Sequence, residues 1–349
     1  MKSLIVKYNY HFLALLILSS YYSVSLIFFG NVIIDPQETL TLQGPFNHIV
    51  SQIYNGNPES LKIFLSGEFR WFYLDRILYP INLFTIILGD KTFFFFEEIL
   101  KKFLAYYSFF VLGKYLTKNN FYSSIAAILY TTIVTMMIDP AGYGMSMIPY
   151  LLYILMSKNN LTLKYCLIIL ITGLNSNLVF DYFSFFLIIP FAFLIERRKF
   201  KIKNYLIYLS IITPSIILAN LQLFYAIFEG VATHRDEIEA LRIGYLASLK
   251  VAISKLFSVS ITSSSIQIFL IPQYIFYFAI LIASVFSNNK KILIILFSII
   301  AVLLIRSLVG SQFIDFIFQG FLIPFKGIQY TRVDRVIPLM FSLLVLYNL

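Results

Sequence analysis

Long apolar runs separated by short polar stretches recur along this chain. They cover residues 11–34, 94–116, 121–138, 142–156, 163–180, 182–195, 205–228, 266–286 and 292–308, and a last run covers 336–349. A helix needs about 20 mostly apolar residues to cross a bilayer, whereas a barrel strand needs about ten alternating ones, a pattern that is absent here. The runs predict an all-α, polytopic transmembrane helical bundle of about nine or ten spans. We expect residues 1–349 to form one integral membrane domain; the short last run indicates either a half-buried helix or missing C-terminal spans.

Three longer polar segments interrupt the apolar runs. They are residues 35–92, 229–265 and 310–335. Within the first, the apolar piece Ile77–Leu88 is too short to cross a membrane, so we expect a helix that lies in the interface or re-enters it. Within the second, Tyr245–Val259 carries Lys250 and Lys255 on an otherwise apolar stretch, which is typical of an interfacial helix over anionic headgroups.

The composition agrees with a membrane environment. Hydrophobic residues make up 59% of the chain and charged residues 13%, with a mean hydropathy of +0.83. A soluble domain carries about 25% charged residues, so this chain lacks the polar surface of a soluble globule. The single cysteine, Cys166, excludes a disulfide within the chain and a cysteine-based metal cluster.

The placement of the basic residues gives an orientation. The N-terminus and four short loops carry Lys2, Lys7, Lys114, Lys118, Lys158, Lys164, Arg197, Arg198, Lys199, Lys201, Lys203, Lys290 and Lys291. These segments contain one acid, Glu196. Short loops rich in Lys and Arg stay on the cytoplasmic side. We therefore expect a cytoplasmic N-terminus and three long outer loops. Basic residues spread in this way do not indicate nucleic acid, despite the net charge of +10.

Asp35 and Glu38 stand at the exit of the first apolar run, three residues apart. Two such carboxylates can hold a divalent cation, Mg²⁺ or Mn²⁺, or one of them can take a proton from an acceptor hydroxyl. They are our first candidates for catalytic and metal-binding residues. The alternative is a span that simply ends in a polar turn, with Pro36 stopping the helix.

Further candidates lie in the predicted outer loops. His234 can relay protons near neutral pH, and Arg235 can bind a phosphate through two hydrogen bonds. The alternative for this stretch is a solvated helix start with Thr233 as its N-cap. Arg70, Arg332 and Arg335 are also basic residues on the predicted outer face, where a phosphate contact or salt bridges to outer acids would explain them.

Several short motifs resemble a known family. Asp35-Pro36-Gln37-Glu38, Gly67-Glu68-Phe69-Arg70 and His234-Arg235 resemble the bacterial multi-spanning family called domain of unknown function 6044, which is similar to the YfhO-like proteins. More broadly, a first span that ends in an acidic motif, followed by a long outer loop and many spans, resembles the GT-C superfamily of membrane glycosyltransferases. Glu38 stands where that superfamily has a second Asp, and we expect this chain to differ from the superfamily also in lacking C-terminal spans or a soluble domain.

The resemblance implies a function. GT-C enzymes use polyprenyl-phosphate sugar donors, and an acidic residue of the first outer loop is their base or metal ligand. Asp35 would take that role with Glu38 as its partner, while Arg332 or Arg335 would contact the donor phosphate. The acceptor would be an envelope glycan or lipid. The alternatives are a transporter or flippase of an envelope precursor and a non-catalytic assembly partner; transport is disfavoured because the predicted spans hold few ionisable residues.

Overall fold

The described part of the chain is helical. The computed structural model describes residues 10–20, 44–56, 77–135, 143–196, 201–228, 244–257, 278–313, 317 and 335–349. Within these ranges there is no β-strand, which confirms the all-α prediction for the part of the chain that the structure describes.

Twelve labels name the helices used below. They are α1 (Tyr10–Ser20), α2 (Gly44–Tyr54), α3 (Phe84–Thr117), α4 (Asn120–Thr135), α5 (Gly144–Ser157), α6 (Leu163–Leu174), α7 (Leu178–Ile195), α8 (Ile202–Ala219), α9 (Leu221–Phe228), α10 (Tyr245–Phe257), α11 (Lys290–Val309) and α12 (Ile337–Asn348). A 3₁₀ turn, Pro80–Leu83, precedes α3, and residues 278–285 are also helical.

Most predicted runs correspond to helices, but two boundaries were wrong. The predicted run 163–180 ends at Leu174, and the turn into the next helix lies at residues 175–177 instead of Asp181. The predicted run 205–228 is two helices, because α8 ends at Ala219 and α9 begins at Leu221. In both places an Asn side chain hydrogen-bonds to backbone groups, which competes with continuation of the helix.

Two of the described helices, α8 and α11, are long and apolar enough to cross a membrane. Others, such as α5, α6 and α12, are apolar but shorter. Helix α3 has 34 residues, yet its middle carries Glu97, Lys101 and Lys102. The two helices support membrane association, and the larger number of spans stays a prediction.

The starts and ends of several helices meet at one end of the assembly, which we call the basic end. Asn204, at the start of α8, donates a hydrogen bond to the carbonyl oxygen of Lys158 after α5 (2.8 Å). Lys291, at the start of α11, lies 3.7 Å from the carboxylate of Glu196 after α7. The described lysines of this end are Lys114, Lys118, Lys158, Lys164, Lys201, Lys203, Lys290 and Lys291. The short basic loops of the sequence are therefore neighbours in the fold.

Other segments meet at the opposite end of the assembly, which we call the far end. The side-chain oxygen of Asn175, after α6, accepts a hydrogen bond from the backbone N–H of Ile81 (2.9 Å). Asn220, after α8, donates to the carbonyl oxygen of Ser176 (2.9 Å). Helix α11 starts at the basic end and extends about 30 Å, so its last residue, Val309, also lies toward the far end.

Small residues let neighbouring helices approach closely. A methyl group on Gly113 of α3 would meet the Ser123 side chain of α4 at 3.1 Å. A methyl group on Gly173 of α6 would meet Cβ of Ser215 in α8 at 2.6 Å. Such small-residue contacts are the usual means of packing helices in lipid, where van der Waals contact replaces the hydrophobic effect between helices.

A glycine separates the first residues of α3, together with the 3₁₀ turn before them, from the body of that helix. Gly89 has φ +70° and ψ +165°, a conformation essentially restricted to glycine. The segment Pro80–Gly89 is apolar and helical, and it is too short to span a bilayer. This segment corresponds to the predicted interfacial or re-entrant piece, residues 77–88. The backbone conformation of Gly89 allows the segment to point in a different direction from the rest of α3.

Replacing Gly89 with alanine should lower the free energy of unfolding by about 2 kcal/mol, because alanine is strained at this φ and ψ. No atom lies within 4 Å of the added methyl group, so the effect is one of the backbone alone. Thermal unfolding of the purified protein in detergent measures it. Gly244→Ala is the matched control, because Gly244 also has open space but no positive φ. Equal stability of the two variants would contradict the prediction.

Candidate functional site

Most of the predicted site residues lie outside the residues that the structure describes. These are Asp35, Glu38, Arg70, His234, Arg235 and Arg332. Their roles as catalytic, metal-binding or substrate-binding residues stay predictions. Arg335 is described: it directly precedes α12 and only 7% of its surface is exposed.

The described residues contain a second candidate, a group of buried polar side chains toward the far end. We call it the polar cluster; it consists of Glu97, Lys101, Tyr143, Asn175, Asn177, Asp181 and Asn220. Its members come from α3, α7 and the turns before α5, α7 and α9. Lys101 lies about 24 Å along α3 from the basic end, so the cluster is deep in the assembly and well away from that end.

Asp181 is the buried carboxylate of the cluster. It lies in the first turn of α7 and none of its surface is exposed. Its Oδ2 atom accepts a hydrogen bond from the backbone N–H of Asn177 (3.0 Å), the residue before the helix. A negative charge at a helix start is stabilised by the unpaired N–H groups and by the helix dipole. The local sequence thus gives this carboxylate a specific position.

The start of α5 also lies against Asp181. A methyl group on Gly144, the first residue of α5, would meet Cβ of Asp181 at 2.8 Å and its carboxylate at a still shorter distance. Tyr143, just before Gly144, donates its backbone N–H to the carbonyl oxygen of Asn175 (3.2 Å). Two helix starts, those of α5 and α7, therefore converge on one carboxylate.

Glu97 and Lys101 form a buried ion pair on α3. The sequence spacing predicts this i,i+4 pair, and the structure confirms it with an Nζ–Oε1 distance of 3.0 Å. None of the surface of Lys101 is exposed, and its Nζ lies 5.9 Å from the ring centroid of Tyr143. Through Tyr143 the ion pair is next to the Gly144–Asp181 contact.

Two asparagines connect the turns of the cluster. Asn220 accepts a hydrogen bond from the N–H of Leu178 (3.2 Å) and donates to Ser176, so it joins the end of α8 to the start of α7. Asn175 joins the same region to Tyr143 and, through Ile81, to the 3₁₀ turn. Buried polar groups that satisfy one another in this way fix a single arrangement of helix ends.

Further buried cations lie in the same helices. Lys102 neighbours Lys101 on α3, Arg306 occupies the last turn of α11, and Arg335 precedes α12; all three are buried. Charges remain inside a protein only when they are paired or bind a charged group. The described interior thus holds carboxylate, ammonium and guanidinium groups, which can hold protons or bind a polar ligand.

The sequence reasoning missed the polar cluster, although signals for it exist. Glu97 and Lys101 interrupt an apolar run, and Asp181 stands between Phe180 and Tyr182 in another. An ionisable residue within a membrane-facing run is a candidate functional residue by itself. In the described ranges no group of three or more His, Cys, Asp or Glu residues has a metal-binding arrangement, and the predicted divalent-cation site at Asp35 and Glu38 falls outside those ranges.

Comparison with known proteins leaves the family of this chain open. No family model matches the chain, and no similar protein was found among the curated proteins or the solved structures. The function is therefore inferred from the residues and their arrangement.

Proposed function

We propose that this chain is a multi-pass protein of the bacterial cytoplasmic membrane, with its basic end and its N-terminus in the cytoplasm. Large apolar side chains point outward from its helices: Leu163 of α6 is 76% exposed and Phe297 of α11 is 69% exposed. Extended apolar surface of this kind is unfavourable in water and favourable in lipid. Clustering of the lysines at one end agrees with the bias of cytoplasmic loops toward positive charge.

As its activity we propose GT-C-type glycosyl transfer from a polyprenyl-phosphate sugar to an envelope glycan or lipid on the outer face. One observation supports this best: the segments that carry the predicted site residues adjoin described residues toward the far end, where the polar cluster also lies. The first loop, 35–92, contributes Ile81 to the contact with Asn175. The second, 229–265, follows α9, which begins directly after Asn220. The third, 310–335, follows the end of α11 at Val309.

The proposed mechanism assigns a role to each predicted residue. Asp35 takes the proton of the acceptor hydroxyl, whose oxygen then bonds to the anomeric carbon of the sugar. The bond between that carbon and the phosphate oxygen breaks, so the configuration inverts and polyprenyl phosphate leaves. Arg332 and Arg335 stabilise the leaving phosphate. A divalent cation, if bound, would be held by Asp35 and Glu38 and would supply positive charge to the same phosphate. Arg70 and Arg235 have the proposed role of binding the donor, and His234 that of relaying protons.

Replacing Asp35 with asparagine should lower the transfer rate about a hundredfold, because the variant keeps the shape of the side chain but loses the base. The measurement compares surface glycans and lipid-linked sugar intermediates in cells whose only copy of the gene is the variant. Membrane levels of the protein must be equal. Asp75→Asn, in the same predicted loop, is the matched control and should retain activity. Unchanged glycans in both the gene deletion and the Asp35 variant would overturn the glycosyltransferase proposal.

A second candidate is a transporter or flippase of an envelope precursor. The observation that favours it is the burial of Glu97, Lys101 and Asp181 inside the assembly, because ionisable residues at such positions are typical of transport pathways. These buried groups weaken the objection to transport, which was that the predicted spans hold few ionisable residues. If this candidate is right, Asp181→Asn abolishes precursor transport into vesicles that contain the purified protein, whereas Asp35→Asn leaves it intact.

A further inference from the structure

The basic end carries more positive charge than its described acids can neutralise. Lys291 pairs with Glu196. The other lysines of this end have no ion pair with an acid in the described ranges: Lys114, Lys118, Lys158, Lys164, Lys201, Lys203 and Lys290. Most of them are exposed, so their charge attracts anions from outside the protein.

Next to these lysines, four tyrosines follow one another in contact, and a fifth, Tyr165, joins them through Lys158. We call them the tyrosine column: Tyr107 and Tyr115 of α3, Tyr150 and Tyr153 of α5, and Tyr165 of α6. The ring centroids of Tyr107 and Tyr150 are 6.3 Å apart, those of Tyr150 and Tyr153 are 5.6 Å apart, and those of Tyr153 and Tyr115 are 5.7 Å apart. The column is accessible from outside, because Tyr107 is exposed and the others are half-buried.

Lys158 lies at the end of the column that is nearest to the basic end. Its Nζ atom is 5.0 Å from the ring centroid of Tyr165 and 5.2 Å from that of Tyr153. Hydrogen bonds with the hydroxyl groups of Tyr165 and Tyr153 raise the pKa of Lys158 above its usual value. The ammonium group is therefore charged at physiological pH and held in place. Lys118 has a similar position, 5.2 Å from the ring centroid of Tyr115.

The column extends farther from the basic end, along the helix axes, than an ordinary interfacial aromatic belt does. Tyr107 lies ten residues before the end of α3, about 15 Å along the helix axis. Belt tyrosines gather at headgroup level, whereas this column leads from the lysines into the depth of the helices. The hydroxyl groups of Tyr107 and Tyr150 have no hydrogen-bond partner among the described residues. A ligand with acceptor oxygens at more than one depth would satisfy them.

We propose that the tyrosine column and Lys158 bind one anionic glycerophospholipid of the leaflet at the basic end. The headgroup phosphate lies at Lys158, and the ester carbonyls of the lipid accept hydrogen bonds from the hydroxyl groups of Tyr150 and Tyr153. The hydroxyl group of Tyr115 is not available to the lipid, because it donates to the carbonyl oxygen of Met156 (3.1 Å). The described side chains of the site are donors of hydrogen bonds or positive charge, which matches a ligand rich in acceptors. The inference rests on the membrane placement in the proposed function and is independent of the glycosyltransferase activity.

The test uses the full chain in nanodiscs made of phosphatidylcholine alone or of an equal mixture with phosphatidylglycerol. Native mass spectrometry measures the retained phosphatidylglycerol. The Lys158→Gln variant should retain phosphatidylglycerol about fivefold more weakly, because it loses one lysine charge at the headgroup. Lys203→Gln is the matched control, because Lys203 is an exposed lysine of the same end without a ring contact, and it should retain the lipid. Tyr153→Phe with Tyr165→Phe should also weaken retention without changing the charge.

Each outcome bears on the proposal. Equal retention by the lysine variants, or no preference for phosphatidylglycerol, would overturn the specific site and leave only diffuse attraction. Displacement of the lipid by excess inorganic phosphate would identify a free-anion site instead. The tyrosine pair keeps the test valid if Lys158→Gln fails to fold. Release of the chain from membranes by alkaline carbonate would contradict the membrane placement itself, whereas the Asp35 experiment concerns only glycosyl transfer.

Discussion

Replacing Lys101 with methionine should lower the free energy of unfolding by about 4 kcal/mol, the largest loss we expect from a single side chain. Lys101 is 0% exposed and its Nζ atom lies 3.0 Å from Glu97. Methionine fills nearly the same volume, so packing is largely kept. The Glu97 carboxylate, however, remains buried without its ammonium partner, and a buried charge that has lost its partner is strongly unfavourable.

Two controls isolate the cause. Lys114→Met changes an exposed lysine on the same helix and should alter stability by less than about 0.5 kcal/mol. The double variant Lys101→Met with Glu97→Gln removes both charges and should recover at least half of the loss, since a neutral amide costs less to bury than an unpaired carboxylate. Denaturant unfolding in detergent measures all three. If the double variant is as unstable as the single one, the ion pair is not the reason for the loss.

The helix content of this protein is predictable from its apolar runs, whereas the helix ends are not. The run 163–180 is mostly apolar, but the side chains of Asn175 and Asn220 bond to backbone groups and stop two helices inside predicted spans. Hydropathy averaged over a window does not register a single residue that competes with the backbone for hydrogen bonds. The asparagines themselves are visible in the sequence, and they are the signal that locates both turns.

The buried cluster shows a second limit of sequence reasoning. The i,i+4 spacing of Glu97 and Lys101 predicts their pairing, because that contact is local. Their burial depends on other segments of the chain, since α3 packs against α2, α4 and α5. Likewise, nothing near Asp181 in the sequence shows that Gly144, which lies in another helix, contacts it. The predicted residues Asp35, Glu38 and His234 fall outside the described ranges.

Replacing Gly144 with alanine should lower the free energy of unfolding by about 3 kcal/mol, because a single methyl group has no room there. The three atoms nearest to that methyl group all belong to the Asp181 side chain, with Cβ at 2.8 Å. Neither partner can move easily, since Gly144 begins α5 and Asp181 is hydrogen-bonded to Asn177 at the start of α7. The methyl group would therefore separate the two helix starts and displace the carboxylate from its N–H donor.

A double-mutant cycle distinguishes this contact from a general intolerance of alanine at the helix start. In an Asp181→Gly background the atoms that block the methyl group are gone, so Gly144→Ala should then cost less than about 1 kcal/mol. Gly113→Ala, which meets a serine side chain at 3.1 Å, should have an intermediate effect in the wild-type background. Unfolding in detergent provides the free energies. An equal cost of Gly144→Ala in both backgrounds would show that Asp181 is not the neighbour that requires glycine, and the convergence of the two helix starts on this carboxylate would lose its main support.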